Sequence, residues 1–480
     1  MQRRPSAAAQ TTRIAAATLR GWWRDGRAAV LALSMLVLLA AVSAAALIDY
    51  RAAAEERDSV AARTRAQWDT QGDRHPHRGA HFGLYVFRAD TPLAALEPGI
   101  TPQVGRTLWL EPHRRNLPQA PASADAPAGR DLAPTALVPM LVLLLPLLTI
   151  ALGHDLVGRE RAQGTLAMLQ AAGVPARTLL VGQWAALCIA LLAVLAPAAA
   201  VLLAGLARVE APAGSLPRAA ALCGTVVLYG MFWAALVVAV SARLRSVRGA
   251  LLALLGLWTA AVLVLPRAGA ALAAATVPLP TATAFWQAME HDIRHGLPGD
   301  GDAAQRQRAF DADLLRTHGV ARLEDLPFGA SALRRLDRDA YAARVHALHF
   351  DRLWRAFGRQ QTVLRAAGLA TPALPARSAA MALAGTDIAH QRRFEDAAEA
   401  YRQDFTAALD AWDVRASRGL SSFESRYAGD TLWRSVPAFA DAVPPAGFAL
   451  RHAAPDLAVL AAWCALSVAA LLWAARGLRP

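Results

Sequence analysis

Long apolar stretches alternate with polar connections along the chain, and this alternation decides its fold class. A membrane-spanning helix needs about 20 consecutive apolar residues, and six stretches of roughly that length are present. The pattern therefore predicts an all-α membrane protein with six transmembrane helices and a mainly helical extracytoplasmic domain. The predicted spans are residues 28–48, 134–152, 179–205, 219–241, 249–266 and 456–475.

The connection between the last two spans, residues 267–455, is the longest and carries two amphipathic helical stripes. One stripe lies within Ser331–Gly368, and Thr371–Pro375 separates it from the second. The second stripe begins at Thr386 or Asp387, either of which is a good helix N-cap. Two antiparallel helices about 40 Å long would bury both stripes against each other. The second stripe consists of Phe394, Ala398, Tyr401, Phe405, Leu409 and Trp412.

Arginine residues cluster at the ends of the predicted spans and indicate the orientation of the chain. Cytoplasmic connections of membrane proteins carry an excess of basic residues. All arginine groups fall on one side if both termini are cytoplasmic, so we expect a cytoplasmic N-terminal segment 1–27 and a cytoplasmic loop 153–178. The extracytoplasmic connections are then 49–133, 206–218 and 267–455. The groups are Arg3, Arg4, Arg13, Arg20, Arg24 and Arg27; Arg159, Arg161 and Arg177; Arg243, Arg245 and Arg248; and Arg476 and Arg479.

Composition restricts the chemistry that this chain can perform. Its net charge of +13 does not indicate nucleic-acid binding, because the charge is dispersed at span ends. All 50 basic residues are arginine, so a P-loop, which needs a lysine on the ATP phosphates, cannot be built here. We therefore expect no enzyme activity and no cofactor bound by this chain. The three cysteines, Cys188, Cys223 and Cys464, lie within predicted spans, where we interpret them as small apolar fillers.

The loop after the second span carries the most informative motif of the chain. From Gly158 onward its order is G-x-E-R-x-x-G-T-L-x-x-L. Helical spacing predicts a short helix over Leu156–Ala171, with Ala162, Leu166 and Leu169 on one face. An exposed apolar face on a charged loop indicates a binding site for a partner protein.

This order, together with L-L-x-G at Leu179–Gly182, resembles the first cytoplasmic loop of ABC-2-type transporter permeases. Gln183 stands where that family usually has a lysine. The layout of the whole chain resembles a subfamily with an uncharacterised large extracytoplasmic loop domain before the last span, most clearly in Leu383–Arg402. The resemblance implies that the loop helix docks into a groove on a separate ATPase. The implied coupling residues are Glu160, Arg161, Gly164, Thr165, Leu166 and Leu169.

The resemblance also implies the assembly and the location of the protein. The chain would be the permease subunit of an ATP-driven transporter, and the partner ATPase would bind ATP and Mg²⁺. A second permease half, either a copy of this chain or a similar permease, would complete the pathway. The assembly would lie in the cytoplasmic (inner) membrane of a bacterium, with both termini in the cytoplasm. No transported substrate follows from the resemblance.

Two other function classes have to be compared with this one. A membrane-anchored extracytoplasmic binding or sensory protein without transport activity would explain the large connection 267–455. It would explain neither the charged loop 153–178 nor the need for six spans. An intramembrane hydrolase would need catalytic residues inside the spans, which carry no carboxylate or histidine away from their ends.

Three histidines in the first long connection have a spacing that metal ligands can use. His75, His77 and His81 form H-x-H-x-x-x-H, and imidazoles at such spacing can hold zinc or copper. No cysteine assists them and the surrounding sequence is flexible in composition, so we favour solvated loop histidines over a metal site. The segment His81–Arg88, HFGLYVFR, has the aromatic and β-branched content of a strand.

Two further histidine pairs lie in the long connection. His291 and His295 are four residues apart, but the catalytic glutamate of an H-E-x-x-H centre is missing from the pair, so we interpret them as an exposed helix face. His346 and His349, with Asp351, predict another polar helix face. Asp351 and Arg355 are four residues apart, and this spacing predicts an ordinary ion pair on the helix surface. We expect no metal site on this chain.

Overall fold

The computed structural model describes residues 6–118, 136–208, 212, 214–416 and 427–479. These residues are mainly helical, which confirms the predicted all-α membrane fold. The first half contains α1 (Ala7–Arg24), α2 (Arg27–Asp69), α3 (Pro76–Phe82), β1 (Leu84–Phe87), α4 (Thr101–Val104), β2 (Thr107–Leu110), α5 (Leu137–Gly153), α6 (Leu156–Ala162), α7 (Thr165–Ala171), α8 (Ala176–Arg208) and α9 (Ser215–Arg243). The second half contains α10 (Val247–Trp258), α11 (Leu265–Thr276), α12 (Ala282–His295), α13 (Ala303–His318), α14 (Ala330–Ala367), α15 (Ala373–Ala384), α16 (Ile388–Ala416), α17 (Asp430–Ser435) and α18 (Ala446–Ala474).

Six helical stretches of the described chain are long and apolar enough to cross a membrane. They are α2, α5 with α6, α8, α9, α10 continued through the π-helical Thr259–Val264 into α11, and α18 with the 3₁₀ turn after it. Each predicted span lies within one of these stretches, except residues 134–136. Residues 134 and 135 lie outside the described residues, and Ala136 is the N-cap of α5. The helix α2 continues for about 30 Å beyond its predicted span, because the following sequence contains neither glycine nor proline before Asp69.

Contacts between helix ends define two ends of this membrane bundle. At one end, Nη1 of Arg27 lies 2.9 Å from Oδ2 of Asp155, and Gln170 donates to the carbonyl of Leu478. At the other end, the backbone N–H of Val138 donates to the carbonyl of Leu96. The first end, which holds α1, α6, α7 and the residues after α18, is called the loop end. The other end holds the head, made of residues 49–118, 277–416 and 427–445.

A small aromatic core holds the two parts of the head together. The strands β1 and β2 pair antiparallel, with Leu84 opposite Leu110, which confirms the strand predicted within His81–Arg88. Their inward faces pack on α16 and on the end of α2, and the interior contains Trp68, Phe394, Phe405 and Trp433. The predicted stripe of α16 is therefore the face that packs against the segment before the second span.

The two long helices are antiparallel as predicted, but their apolar stripes are not buried against each other. The stripe of α16 packs on the strands and on α2, and the apolar side chains of α14 form a separate cluster with α12. Near the start of α14, Arg335 contacts Asp410 near the end of α16 at 3.1 Å. Further along α14, Asp351 contacts Arg392 near the start of α16 at 2.8 Å. The N-cap of α16 is Asp387, whose carboxylate accepts from a backbone N–H in the first turn of the helix. The alternative cap, Thr386, donates instead to a carbonyl of the first connection.

The segment between α14 and α16 is a helix that the sequence analysis did not predict. The segment Thr371–Pro375 was predicted as a simple separator, but it begins α15, whose alanine-rich surface is buried against α9 and α18. Trp463 of α18 donates from its indole nitrogen to the carbonyl of Gly368 over 3.0 Å. The head is therefore attached to the bundle by a buried apolar helix as well as by the chain connections.

Candidate coupling surface at the loop end

The connection from α5 to α8 folds as two short helices rather than as the single predicted helix. The break falls at Gln163 and Gly164, where Gly164 takes a φ of +74° as the residue before α7. Residues with a Cβ rarely adopt this left-handed conformation. The glycine therefore turns α7 away from the axis of α6, and the apolar face predicted across both helices does not exist as one surface.

The apolar side chains of α7 point in two opposite directions. Leu166 is 0% exposed and lies in the core of the bundle, and Leu169 is half-buried against that core. The prediction that Leu166 presents itself to a partner is therefore wrong for this structure. Met168 is 72% exposed, and Ala167 and Ala171 are exposed on the same side. The sequence prediction misses Met168 because it continues a single helix through Gly164, which is where α7 begins in a new direction.

Arg161 fastens the end of α6 to two other parts of the chain. Its guanidinium donates to the carbonyls of Ala242 at 3.2 Å, Leu244 at 3.1 Å and Arg479 at 3.2 Å. The first two carbonyls belong to the last turn of α9 and the residue after it, where a cation satisfies unpaired acceptors and the helix dipole. Arg161 thus joins α6 to the end of α9 and to the residues after α18.

Glu160 and Thr165 join the two short helices across their break. The hydroxyl of Thr165 donates to the backbone carbonyl of Glu160 at 3.0 Å and also contacts the carboxylate of Glu160. The carboxylate consequently lies beside the first turn of α7, where negative charge is favourable. The motif residues E-R-x-x-G-T therefore build the shape of this turn.

Two glycines of the motif allow helices to pack closely. A Cβ on Gly182 would lie 2.7 Å from Ile14 of α1, and a Cβ on Gly158 would lie 2.7 Å from Val247. Leu179 and Leu180 are buried. Gln183 is also buried and faces the interior of the bundle.

The four arginine groups predicted to share one side of the membrane meet at the loop end. Arg3 and Arg4 lie outside the described residues. Three carboxylates, those of Asp25, Asp155 and Glu160, stand among the arginines, so the surface around α7 is strongly positive. The exposed arginines are Arg13, Arg20, Arg24, Arg177, Arg243, Arg245, Arg248, Arg476 and Arg479.

The histidine pairs of the head have different surroundings. His291 and His295 stack on each other on an exposed face, as expected. His346 and His349 are buried in the head, so their interpretation as a polar face is wrong. His349 contacts Asp292 at 2.8 Å, and burial lowers the pKa of His346 to about 4. The predicted ion pair between Asp351 and Arg355 is present, with Nη1 of Arg355 3.0 Å from Oδ2 of Asp351.

Comparison with known families divides the chain near α12. Residues 21–297 match the family model described as ABC-2 family transporter protein. Residues 282–441 match a domain of unknown function (DUF3526). The first match includes the whole loop end between α5 and α8, and the second includes most of the head, while α18 lies beyond both. Comparison with curated proteins gives no match.

Proposed function

The chain belongs to the ABC-2 family of transporter proteins, and we propose that a separate ATPase energises this permease by docking on the exposed side of α7. The observation that carries the proposal is the arrangement of this helix. Its outer side presents Met168 between two exposed alanines, while its inner side enters the bundle through Leu166. A partner that binds the outer side would therefore press directly on the membrane helices.

Movement of α7 would be passed on through specific contacts. Gln170 donates a hydrogen bond to the carbonyl of Leu478, which follows the last span. Arg161 donates to a carbonyl at the end of α9 and to the carbonyl of Arg479. A displacement of the short helices would thus shift α9 and α18 together. In this proposal ATP and Mg²⁺ are bound by the partner, since this chain has no lysine for a P-loop.

We further propose that the loop end faces the cytoplasm and the head faces outward. The support is the concentration of arginines at the loop end, which is the end that the positive-inside rule assigns to the cytoplasm of the inner membrane. Cysteine variants at exposed positions test it, with Gln163→Cys at the loop end and Arg359→Cys in the head. A membrane-impermeant maleimide should label only the second in intact cells. Labelling of the first alone would reverse the orientation.

A second permease half would complete the transport pathway. The spans formed by α2 and by α10 with α11 are the least covered by the rest of the chain, so they offer the surface on which another half would pack. Mass measurement in mild detergent should give two permease chains and two ATPase chains. A fully active complex that contains one permease chain would contradict this part of the proposal.

The docking proposal is tested by substitutions on the exposed side of α7. Met168→Asp places an unpaired charge in an apolar contact, which costs on the order of 2 kcal/mol or more and should weaken ATPase binding at least tenfold. Met168→Leu keeps the apolar contact and is the matched control. Co-purification with a Walker-motif ATPase encoded in a neighbouring reading frame measures the effect. Leu166→Asp is unsuitable, because that side chain is buried within the permease itself.

Two results would overturn docking on α7. The first is normal ATPase binding and ATP-dependent activity of the Met168→Asp variant. The second is the failure of any ATPase to co-purify with the unaltered permease. A membrane-anchored binding protein, which is the alternative function, predicts the second result.

A further inference from the structure

Three histidines of the head converge on one point. His77 and His81 lie one turn apart on α3, and His113 follows β2. The Nε2 atom of His77 lies 3.2 Å from Nε2 of His81 and 3.2 Å from Nε2 of His113. The three ligand atoms all lie within 4.8 Å of one another. His113 is 32 residues from His81 in the sequence, so only the fold reveals the third member.

The two separations from His77 are those of nitrogens around one tetrahedral ion. A Zn–N bond of about 2.0–2.1 Å at tetrahedral angles puts two ligand nitrogens about 3.3 Å apart. Both distances from His77 are within 0.2 Å of that value. Hydrogen bonding alone explains the cluster less well, because one Nε2 atom of a neutral imidazole either donates or accepts, yet His77 meets two neighbours through that atom.

A carboxylate outside the cluster orients one of the three rings. Oδ1 of Asp339 on α14 lies 2.9 Å from Nδ1 of His113. A carboxylate that accepts from Nδ1 leaves the lone pair of Nε2 directed at the cluster, and such partners are typical of metal-bound histidines. His75 has a different role, since its Nδ1 accepts from the backbone N–H of His77 at the start of α3.

The charges around the cluster are compatible with a cation. Glu111 and Asp339 stand near His81. The nearby guanidinium of Arg335 is already paired with the carboxylates of Asp410 and Asp413. The half-buried His77 and His113 flank the exposed His81, so the fourth position of an ion would face solvent.

We propose that His77, His81 and His113 bind one divalent transition-metal ion of the zinc type, with a solvent molecule as the fourth ligand. Three imidazoles without a carboxylate ligand favour zinc, copper or nickel over magnesium and calcium. The ion joins α3 to the segment after β2 and, through Asp339, to α14. It therefore links the part of the head that belongs to the ABC-2 match to the part that belongs to the domain of unknown function. This inference does not depend on the ATPase proposal.

The test measures metal binding by the full chain in detergent, purified without a histidine tag. The protein is stripped with EDTA, dialysed against zinc chloride, and its bound zinc is counted by mass spectrometry of the metal. Wild type should hold one zinc ion at this cluster. His81→Ala removes an exposed ligand and should weaken binding at least 100-fold. Asp339→Asn should weaken it about tenfold, because it removes only the orienting carboxylate.

His291→Ala is the matched control, since it removes a histidine from an exposed pair that has no third ligand among the described residues. Its zinc content should equal that of wild type. Zinc should also raise the melting temperature of wild type and of His291→Ala, but not of His81→Ala. Equal melting temperatures of the stripped proteins show that each variant is folded.

Three outcomes would overturn the proposal. The first is that the stripped wild type takes up no zinc. The second is that His81→Ala and His113→Ala bind zinc as tightly as wild type, and the third is that zinc binding is lost in His291→Ala. Cobalt substitution gives an independent check, because three nitrogens and one oxygen around Co²⁺ produce visible absorption typical of tetrahedral coordination. Octahedral absorption would contradict the proposed geometry.

Discussion

At the loop end Arg161 is held by three backbone carbonyls, whereas in the head Arg402 forms a two-bond ion pair with Glu399 at 2.8 Å for each bond. The first guanidinium is partly exposed, and the second is buried with its carboxylate. Bonds near solvent can be exchanged for water at little cost, but a buried charge cannot be left without its partner. This contrast predicts that the contacts of the loop end rearrange at lower cost in free energy than those of the head.

The largest expected effect tests the head. Arg402→Ala leaves the buried Glu399 without its ion-pair partner and removes donors to the carbonyls of Glu111 and Pro112. Removal of one partner of a buried pair costs about 3–5 kcal/mol. We expect this loss in the free energy of unfolding of the head, measured by hydrogen exchange along α16.

Arg355→Ala is the control for this prediction, because its ion pair with Asp351 lies on the surface with the arginine side chain 60% exposed. Its effect should stay below about 0.5 kcal/mol. A loss below about 1 kcal/mol in Arg402→Ala would remove the distinction between the two ends.

The second effect concerns a buried carboxyl group of the head and depends on pH. Burial raises the pKa of Glu395 to about 7, above its ordinary value of 4.5. The folded head thus holds this proton more tightly than the unfolded chain does, and its stability falls as the pH rises from 4.5 to 7. The total loss above pH 7 is about 3 kcal/mol.

Glu395→Gln removes this penalty and keeps the acceptor for Gln391. The variant should match wild type near pH 4.5 and exceed its unfolding free energy by about 3 kcal/mol above pH 7. Denaturant unfolding at pH 5 and pH 8 measures the difference. Glu290→Gln, which loses only an ion pair on an exposed helix face, is the control and should change the unfolding free energy by less than about 0.5 kcal/mol. A gain for Glu395→Gln that is the same at both pH values would contradict the assignment.

The smallest expected effect tests the loop end. Arg161→Ala removes three hydrogen bonds from a partly exposed guanidinium, which should cost about 1–2 kcal/mol. Faster hydrogen exchange should appear in α6 and α7 and not in the head. Arg177→Ala, at an exposed position of the same end, is the control and should change nothing measurable. Loss of head protection in Arg161→Ala would show that the two ends are coupled in stability.

Local patterns in the sequence predicted much of this molecule. The six spans follow from the length of the apolar stretches, and the stripe of α16 follows from helical periodicity. The cap at Asp387 also has a local cause, because its side chain binds the backbone three residues later. The motif from Gly158 to Leu169 lies between two apolar helices, as its glycines and charges predict.

Helical periodicity could not predict which side chains of α7 face outward. The left-handed Gly164 resets the helix axis, so Leu166 and Ala162 no longer share a face. The buried side of α14 was also misjudged, because His346 and His349 are polar by type and acquire their burial from neighbouring elements. A histidine has the same sequence signature whether it is solvated or enclosed.

The sequence by itself determined the six spans, the helical head, the arginine asymmetry and the absence of a P-loop lysine, because each depends on residue type or on spacing within a few turns. Only the tertiary structure decided that α15 enters the bundle, that His113 joins His77 and His81, and that Arg402 reaches the segment after β2. These contacts join residues up to almost 300 positions apart. No period in the sequence records such pairings, since they depend on how separate helices pack.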